Sequence, residues 1–424
     1  MALHPPDARL EVDAPPVGLS RPHVLFVLYP AFGHTLPMVP IIAQLSRLDC
    51  RITATTGSNF ADRVMAAGAE IATYTSHLAT SAPPDSLTAD EMAARTLRYL
   101  EEILAVSPVI ERACPRPPDL IVYDTTLWAP SRVLAAHWRR PTIQVIPTFA
   151  SNEHFSVGAR LAELAPPVDP AHPDMIRTGS LLAEFVTGHG LPDARVGEVL
   201  AGADELNIVS IPREFQIFGD TFGDDHVFVG PCLEPPAGEW TPPGGDRPVA
   251  LVSLGTTVNE HPGLFRACAL AFTDTEWHVV MTLGDRIDPA ELGPLPTNVE
   301  VHPWIPHAAV LRHASVFVCQ GGMGSVQEAL HYATPLVVIP HHPEQVANAE
   351  RIDDLGLGRV LSRQTVSAEL IRQAVAEAAH DRAVATRVTA MRDHIHAAGG
   401  AARAASEIHA RAAIAHESLS ANSG

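Results

Sequence analysis

Cysteine is sparse in this chain and never closely paired. The 424 residues hold five cysteines, Cys50, Cys114, Cys232, Cys268 and Cys319, with no C-x-x-C spacing among them. That argues against a disulfide scaffold and fits a reducing compartment. Long apolar runs are also missing: no window approaches the roughly 20 residues needed to span a bilayer. The first twenty residues are rich in Pro, Ala and Asp and lack a cationic head with an apolar run, so they read as a loose extension rather than a secretion signal. Positive charge is in deficit, with 29 Lys and Arg against 48 Asp and Glu and a formal net charge of −19. A nucleic-acid partner is therefore unexpected. No metal box appears, because the adjacent His341 and His342 would not share a face and His394 and His396 would not either on a helix. A cytoplasmic protein without a membrane span or bound metal is expected, in two domains of about 200 residues each.

What the chain does have is alternation. His23 to Tyr29 reads as a buried parallel-type strand, and Leu36, Val39, Ile42, Leu45 and Leu48 then repeat at helical spacing. The unit recurs at Arg51 to Thr56 before a helical run from Phe60 to Ala67, and at Asp119 to Asp124 before Trp128 to Trp138. Thr142 to Ile146 closes the group. Pro166 to Ala203 is less regular, and the Pro- and Gly-rich segment Cys232 to Asp246 marks a linker. Strands then resume at Pro248 to Leu254, Trp277 to Thr282, Val316 to Cys319 and Leu336 to Ile339, with a helix over Phe265 to Phe272. The pattern predicts an α/β protein of two doubly wound, Rossmann-like domains whose strand C-termini face one cleft. The expected divisions are a flexible extension over 1–22, an N-terminal domain over 23–235, a linker over 236–247 and a C-terminal domain over 248–400. A final Ala-rich helix with an end frayed from Ser418 completes the chain over 401–424.

The most informative stretch runs from Val318 to Glu328 and on to Ala349. Gly321, Gly322, Gly324 and Ser325 form a glycine turn between a strand and a helix, where unpaired N–H groups and the helix dipole suit a diphosphate. Close helix–strand packing is the plainer reading of such glycines. Glu328, one turn into that helix, suits ribose hydroxyls or simply the dipole, and Trp304 at the end of another strand suits either a nucleotide base or a core. Glu344 and Gln345 open the next helix, where acceptors and donors suit sugar hydroxyls, although a helix start favours an acid anyway. His34 follows the first strand at the mouth of its helix and could take a proton from a hydroxyl. Asp124 ends the strand Leu120 to Tyr123. If those strands are neighbours it can hold one nitrogen of His34; otherwise it is a turn former or cap.

These residues together resemble the family-one glycosyltransferases of the GT-B fold, especially the bacterial macrolide glycosyltransferases. The similarity runs from His23 to about Ala405 and is densest from Asp288 through Pro306 to Asn348–Ile352. The resemblance implies that Gly33-His34 is the catalytic base motif with Asp124 as its partner. It implies that Trp304 and Ile305 hold the nucleotide base, Glu328 the ribose, and Thr256, Thr257, Gly322 and Ser325 the diphosphate, with Gly324 in the same donor turn. Glu344-Gln345 then matches the pair that contacts the donor sugar. Three positions depart from the family pattern: Gln320 replaces a phosphate-binding histidine, His307 a glutamine and Glu344 an aspartate. A neutral amide still donates a hydrogen bond. The implied activity is inverting, metal-independent transfer of a hexose, from UDP-glucose foremost, to a hydroxyl of a hydrophobic natural product such as a macrolide or polyphenol. No cofactor is expected besides the nucleotide sugar, and a homodimer is the candidate assembly. The alternatives are a TDP-deoxysugar transferase, a nucleotide-sugar hydrolase or epimerase, and a binder that transfers nothing.

Overall fold

Short runs of aliphatic and β-branched residues become parallel strands here because helices cover both faces of each sheet, so consecutive side chains are buried in either direction. The computed structural model describes residues 21–77, 88–201, 204, 206–235, 238–255, 261–284 and 286–421. The expected extension before Arg21, and with it Thr256 and Thr257, lies outside the described residues. The first lobe contains β1 (His23–Val27), β2 (Arg51–Gly57), β3 (Glu70–Tyr74), β4 (Leu120–Asp124), β5 (Thr142–Ile146), β6 (Leu206–Val209) and β7 (His226–Phe228). Among the described residues these form one seven-stranded sheet in the order β3-β2-β1-β4-β5-β6-β7, with parallel pairings throughout. The second lobe contains β8 (Val249–Ser253), β9 (His278–Thr282), β10 (Val299–His302), β11 (Ala314–Cys319), β12 (Leu336–Val338) and β13 (Gly358–Val360). Its order is β10-β9-β8-β11-β12-β13, again parallel.

Both sheets reverse their strand order at one point, between β1 and β4 and between β8 and β11. Loops leaving the C-terminal ends of such neighbours diverge to opposite faces and open a crevice, the usual ligand site of a doubly wound sheet. No helix of the described residues is long and apolar enough to cross a membrane.

The less regular segment from Pro166 to Ala203 holds the helices Pro173–Gly188 and Arg195–Ala201, the first of them packed on the helix Ala89–Leu104. The latter starts from a capping box: Thr88 Oγ1 accepts from Glu91 N at 3.2 Å while Glu91 Oε2 accepts from Thr88 N at 2.8 Å. The last helix is not frayed from Ser418, since Gly400–Ala421 is helical throughout. That helix also returns to the first lobe. Its Ala404, Ala405, Ile408 and Ala412 are buried in the same core as Val24, Ile41, Ile42 and Leu45. Alanines every three or four residues let it lie close against the helix Phe32–Ser46.

A further core joins the lobes. Ile146, Phe149, Val209 and Phe215 from the first share a buried cluster with Phe317, Met323, Ile352 and Met391 from the second. Phe149 and Phe215 stack with ring centroids 5.7 Å apart. Polar ties flank this strip. Arg351 donates Nε to Phe215 O at 2.9 Å and Nη2 to Glu214 O at 2.9 Å and Gln216 O at 3.0 Å. Arg160 Nη2 meets Glu350 Oε1 at 2.6 Å. The linker is pinned as well, with Trp240 Nε1 donating to Glu300 Oε1 at 2.7 Å.

Candidate active site

The hydrogen-bonded pairing of β1 with β4 decides the relation of His34 to Asp124. His34 is the third residue of the helix Phe32–Ser46, and Asp124 is the last of β4, so both stand at the first sheet's reversal point. His34 Nδ1 lies 3.0 Å from Asp124 Oδ1 and 3.0 Å from Oδ2. Asp124 is fully buried, while the His34 side chain keeps 29% of its surface exposed. The Nδ1–H tautomer then donates to the carboxylate and leaves Nε2 with a free lone pair. Thr126 supports the pair: its N–H donates to Asp124 Oδ1 at 2.8 Å and its Oγ1 lies 3.2 Å from His34 Nδ1. Asp124 therefore caps the turn and faces the histidine at once. Tyr29 meets the imidazole edge to face at 5.3 Å. Pro37 and Pro40 inside the helix have no N–H to offer the carbonyls of Gly33 and Leu36, so prolines break the hydrogen-bond ladder where His34 emerges.

Burial works against the charged form of His34, but the Asp124 carboxylate, its hydrogen bond and the field of Glu344 together raise the imidazole pKa above its ordinary 6.5. Glu344 belongs to the second lobe, in the first turn of the helix Pro343–Asp354. A charge of the second lobe therefore acts on the base candidate of the first.

The glycine turn follows β11 at the second reversal point. Gly321 has φ 84°, and a Cβ there would lie 2.7 Å from Val338 Cγ1, so the turn requires glycine. Asn348 is buried and its Nδ2 donates to Gly321 O at 2.8 Å, fixing the turn from below. At Gly322, the residue before the helix Met323–His331, and at Gly324, an added Cβ would meet nothing within 4 Å. Open space therefore lies over the helix N-terminus, with Ser325 half-buried in its first turn. Nothing about Gly322 or Gly324 calls for tight helix–strand packing.

Gln320 is buried, and its Oε1 accepts from Gln345 Nε2 at 3.2 Å. Gln345 Oε1 in turn accepts from His341 N at 2.8 Å and His342 N at 3.3 Å. Gln345 is thus a helix cap, and it links the two loops that leave β11 and β12. Trp304 is 66% exposed, which removes the core reading, while Ile305 beside it is buried. Glu328 is partly buried, and its Oε2 lies 3.1 Å from His307 Nδ1.

The sequence reading missed Thr126, Asn348 and the His307–Glu328 contact. A threonine two residues after a strand-end aspartate and an asparagine three residues after Gln345 were the available signals. His307 had been noticed only as a substitution.

Comparison with known proteins bears on the family and the fold. Residues 268–410 match the family model described as erythromycin biosynthesis protein CIII-like, C-terminal domain. The chain is 34% identical to demethyllactenocin mycarosyltransferase of Streptomyces fradiae over 407 residues, covering 93% of this chain and 88% of that protein. It is 34% identical to the NDP-glycosyltransferase YjiC of Bacillus subtilis strain 168, covering 92% and 98%. The crystal structure of CalG4, the calicheamicin glycosyltransferase, superposes with a TM-score of 0.84 at 42% identity, covering 92% of this chain and 98% of that one. Likeness on that scale, sustained across both lobes, means that this chain belongs to the family-one glycosyltransferases of the GT-B fold, in the group of the macrolide glycosyltransferases.

Proposed function

We propose that this glycosyltransferase moves a hexose, with inversion, from a nucleoside diphosphate sugar to a hydroxyl of a hydrophobic natural product, with His34 as the general base. The observation that carries the reading is the His34–Asp124 contact at 3.0 Å, at the reversal point of the first sheet and within the field of Glu344 from the second lobe. His34 Nε2 takes the acceptor's hydroxyl proton, and the oxygen attacks the anomeric carbon. The bond from that carbon to the diphosphate oxygen breaks on the opposite face, so the configuration inverts. Asp124 stabilises the imidazolium as it forms. Negative charge developing on the diphosphate meets the N–H groups before and within Met323–His331 and the Ser325 hydroxyl. Thr256 and Thr257 belong to the same proposed diphosphate site, Trp304 and Ile305 to the base site, Glu328 to the ribose site, and Glu344 and Gln345 to the sugar site.

The acceptor side supports a hydrophobic alcohol. Phe32 is 48% exposed two residues before His34 and packs edge to face on Phe60, and Tyr29 borders the imidazole. Relatives named demethyllactenocin mycarosyltransferase and oleandomycin glycosyltransferase point to antibiotic-type acceptors. A nucleotide-sugar hydrolase would use the same donor lobe, and it would consume donor with no alcohol present.

The test is a mass-spectrometric screen of nucleotide sugars against macrolides and polyphenols, repeated with His34→Ala. Acceptor-dependent product is expected, and the variant should lose about 10²- to 10⁴-fold in turnover at saturating substrate. A variant that kept most of its activity would remove His34 from the mechanism.

A further inference from the structure

Pro130 leaves a carbonyl beside the base without its usual helical partner. Thr125–Leu127 is a single 3₁₀ turn that runs straight into the helix Trp128–Trp138. The N–H that would meet Thr126 O across one α-helical turn belongs to residue 130, a proline with none to give. Tyr99 supplies a donor instead, its hydroxyl lying 2.5 Å from that oxygen. It stands on the helix Ala89–Leu104, whose Leu100, Ile103 and Leu104 are buried in one core with Val27 and Leu127. The phenol is therefore aimed from a fixed backbone, and the Trp128 indole N–H meets its oxygen as well.

Thr126 is the residue that touches both members of the pair, with its N–H on Asp124 Oδ1 at 2.8 Å and its Oγ1 3.2 Å from His34 Nδ1. Fixing its carbonyl limits the torsions about its Cα, and with them where its amide and hydroxyl point. We propose that Tyr99 is a positioning residue for the base: by holding the Thr126 carbonyl it keeps Thr126 on Asp124 and His34, and so ties the geometry of the pair to the helix Ala89–Leu104. The proposal rests on the reading of His34 as base and adds a residue to its support. Without the Tyr99 hydroxyl, Thr126 relaxes and the carboxylate meets the imidazole less well, so the raised His34 pKa moves down toward 6.5. Asp124 and Glu344 are the charges acting on His34, Tyr29 borders it, and Glu102 and Arg95 act on Tyr29. Burial raises the phenols of Tyr29, Tyr74 and Tyr99 above their ordinary 10, so Tyr99 stays a donor while the imidazole titrates near neutral pH.

Two measurements on the full-length protein test it, with Tyr99→Phe removing one oxygen and keeping the ring. The first needs no substrate: NMR titration of ring-labelled histidines, with the His34 signal identified by its loss in His34→Ala. The His34 pKa in Tyr99→Phe should lie between those of the unaltered protein and Asp124→Asn. A titration unmoved by Tyr99→Phe would overturn the proposal, even if the variant were less stable. One unmoved by Asp124→Asn as well would overturn the base pair itself, a separate failure. The second is kinetic, with the sugar donor and alcohol turned over fastest in the screen above. Tyr99→Phe should lower kcat about tenfold at unchanged KM for both substrates, and should add little to the loss in Asp124→Asn, because it acts through that carboxylate. A raised acceptor KM at unchanged kcat would put Tyr99 against the substrate instead and overturn the positioning role, as would losses that multiply in the double variant.

Discussion

At the scale of single residues, the proposed chemistry depends on a buried carboxylate holding a half-exposed imidazole. His34 must be neutral to accept a proton, and its pKa lies above 6.5 because Asp124 and Glu344 outweigh burial. Activity should therefore be full above that raised value and fall as the pH drops through it. Asp124→Asn removes the largest charge favouring the imidazolium, so the acid limb of the kcat/KM profile should move to lower pH. The plateau should fall about 10²-fold or more, because the imidazolium formed in transfer loses its counter-charge. A profile with an unmoved limb would show that another group sets it. Much of this pair was legible in the sequence, since a histidine and an aspartate each stood immediately beyond an apolar strand. Their separation was not, because it depends on β1 and β4 being neighbours. Glu328 was legible as a ribose candidate, yet its pairing with His307 is a tertiary event that no local pattern encodes. Gln345 was read as a sugar contact, and its second role as a cap for the His341 and His342 amides appears only in three dimensions.

At the scale of elements, the strands that were legible are the central ones. β1, β4, β8 and β9 are buried nearly or wholly along their length and appear in the sequence as continuous apolar runs. The strands that escaped notice, β3, β7 and β13, lie at sheet edges, with exposed or half-exposed residues and two of them only three residues long. Edge strands need less apolar surface and carry less signal. β6 is central but has a buried Asn207 in its middle, which interrupts the run. The helix Gly400–Ala421 was legible as a helix, but its destination was not, because an alanine-rich face suits several partners. Ile408 is its largest fully buried side chain and packs in the first lobe's core. Ile408→Ala should destabilise the protein by about 3 kcal/mol through lost burial and the cavity left behind. Urea unfolding checks this, and a loss below about 0.5 kcal/mol would mean that the helix contributes little to that core.

At the scale of the whole molecule, the lobes are joined by a shared apolar strip and by arginine. All 29 cationic side chains in the chain are arginines, and lysine is absent. The guanidinium fork is what permits Arg351 to reach three successive carbonyls, at Glu214, Phe215 and Gln216, from a single side chain. Arg351→Met keeps most of the stem's packing and removes all three bonds. It should cost about 2 kcal/mol and lower the thermal midpoint. Scanning calorimetry beside activity would check this, and an unchanged midpoint would mean that the apolar strip alone holds the lobes together. The C-terminal helix has a consequence for biosynthesis. During translation the earliest residues leave the ribosome first, yet the layer that shields their aliphatic surface is encoded some 400 codons later. The nascent amino-terminal half must wait, with sticky patches uncovered, until that late segment emerges, and a ribosome stalled ahead of it would release an aggregation-prone fragment.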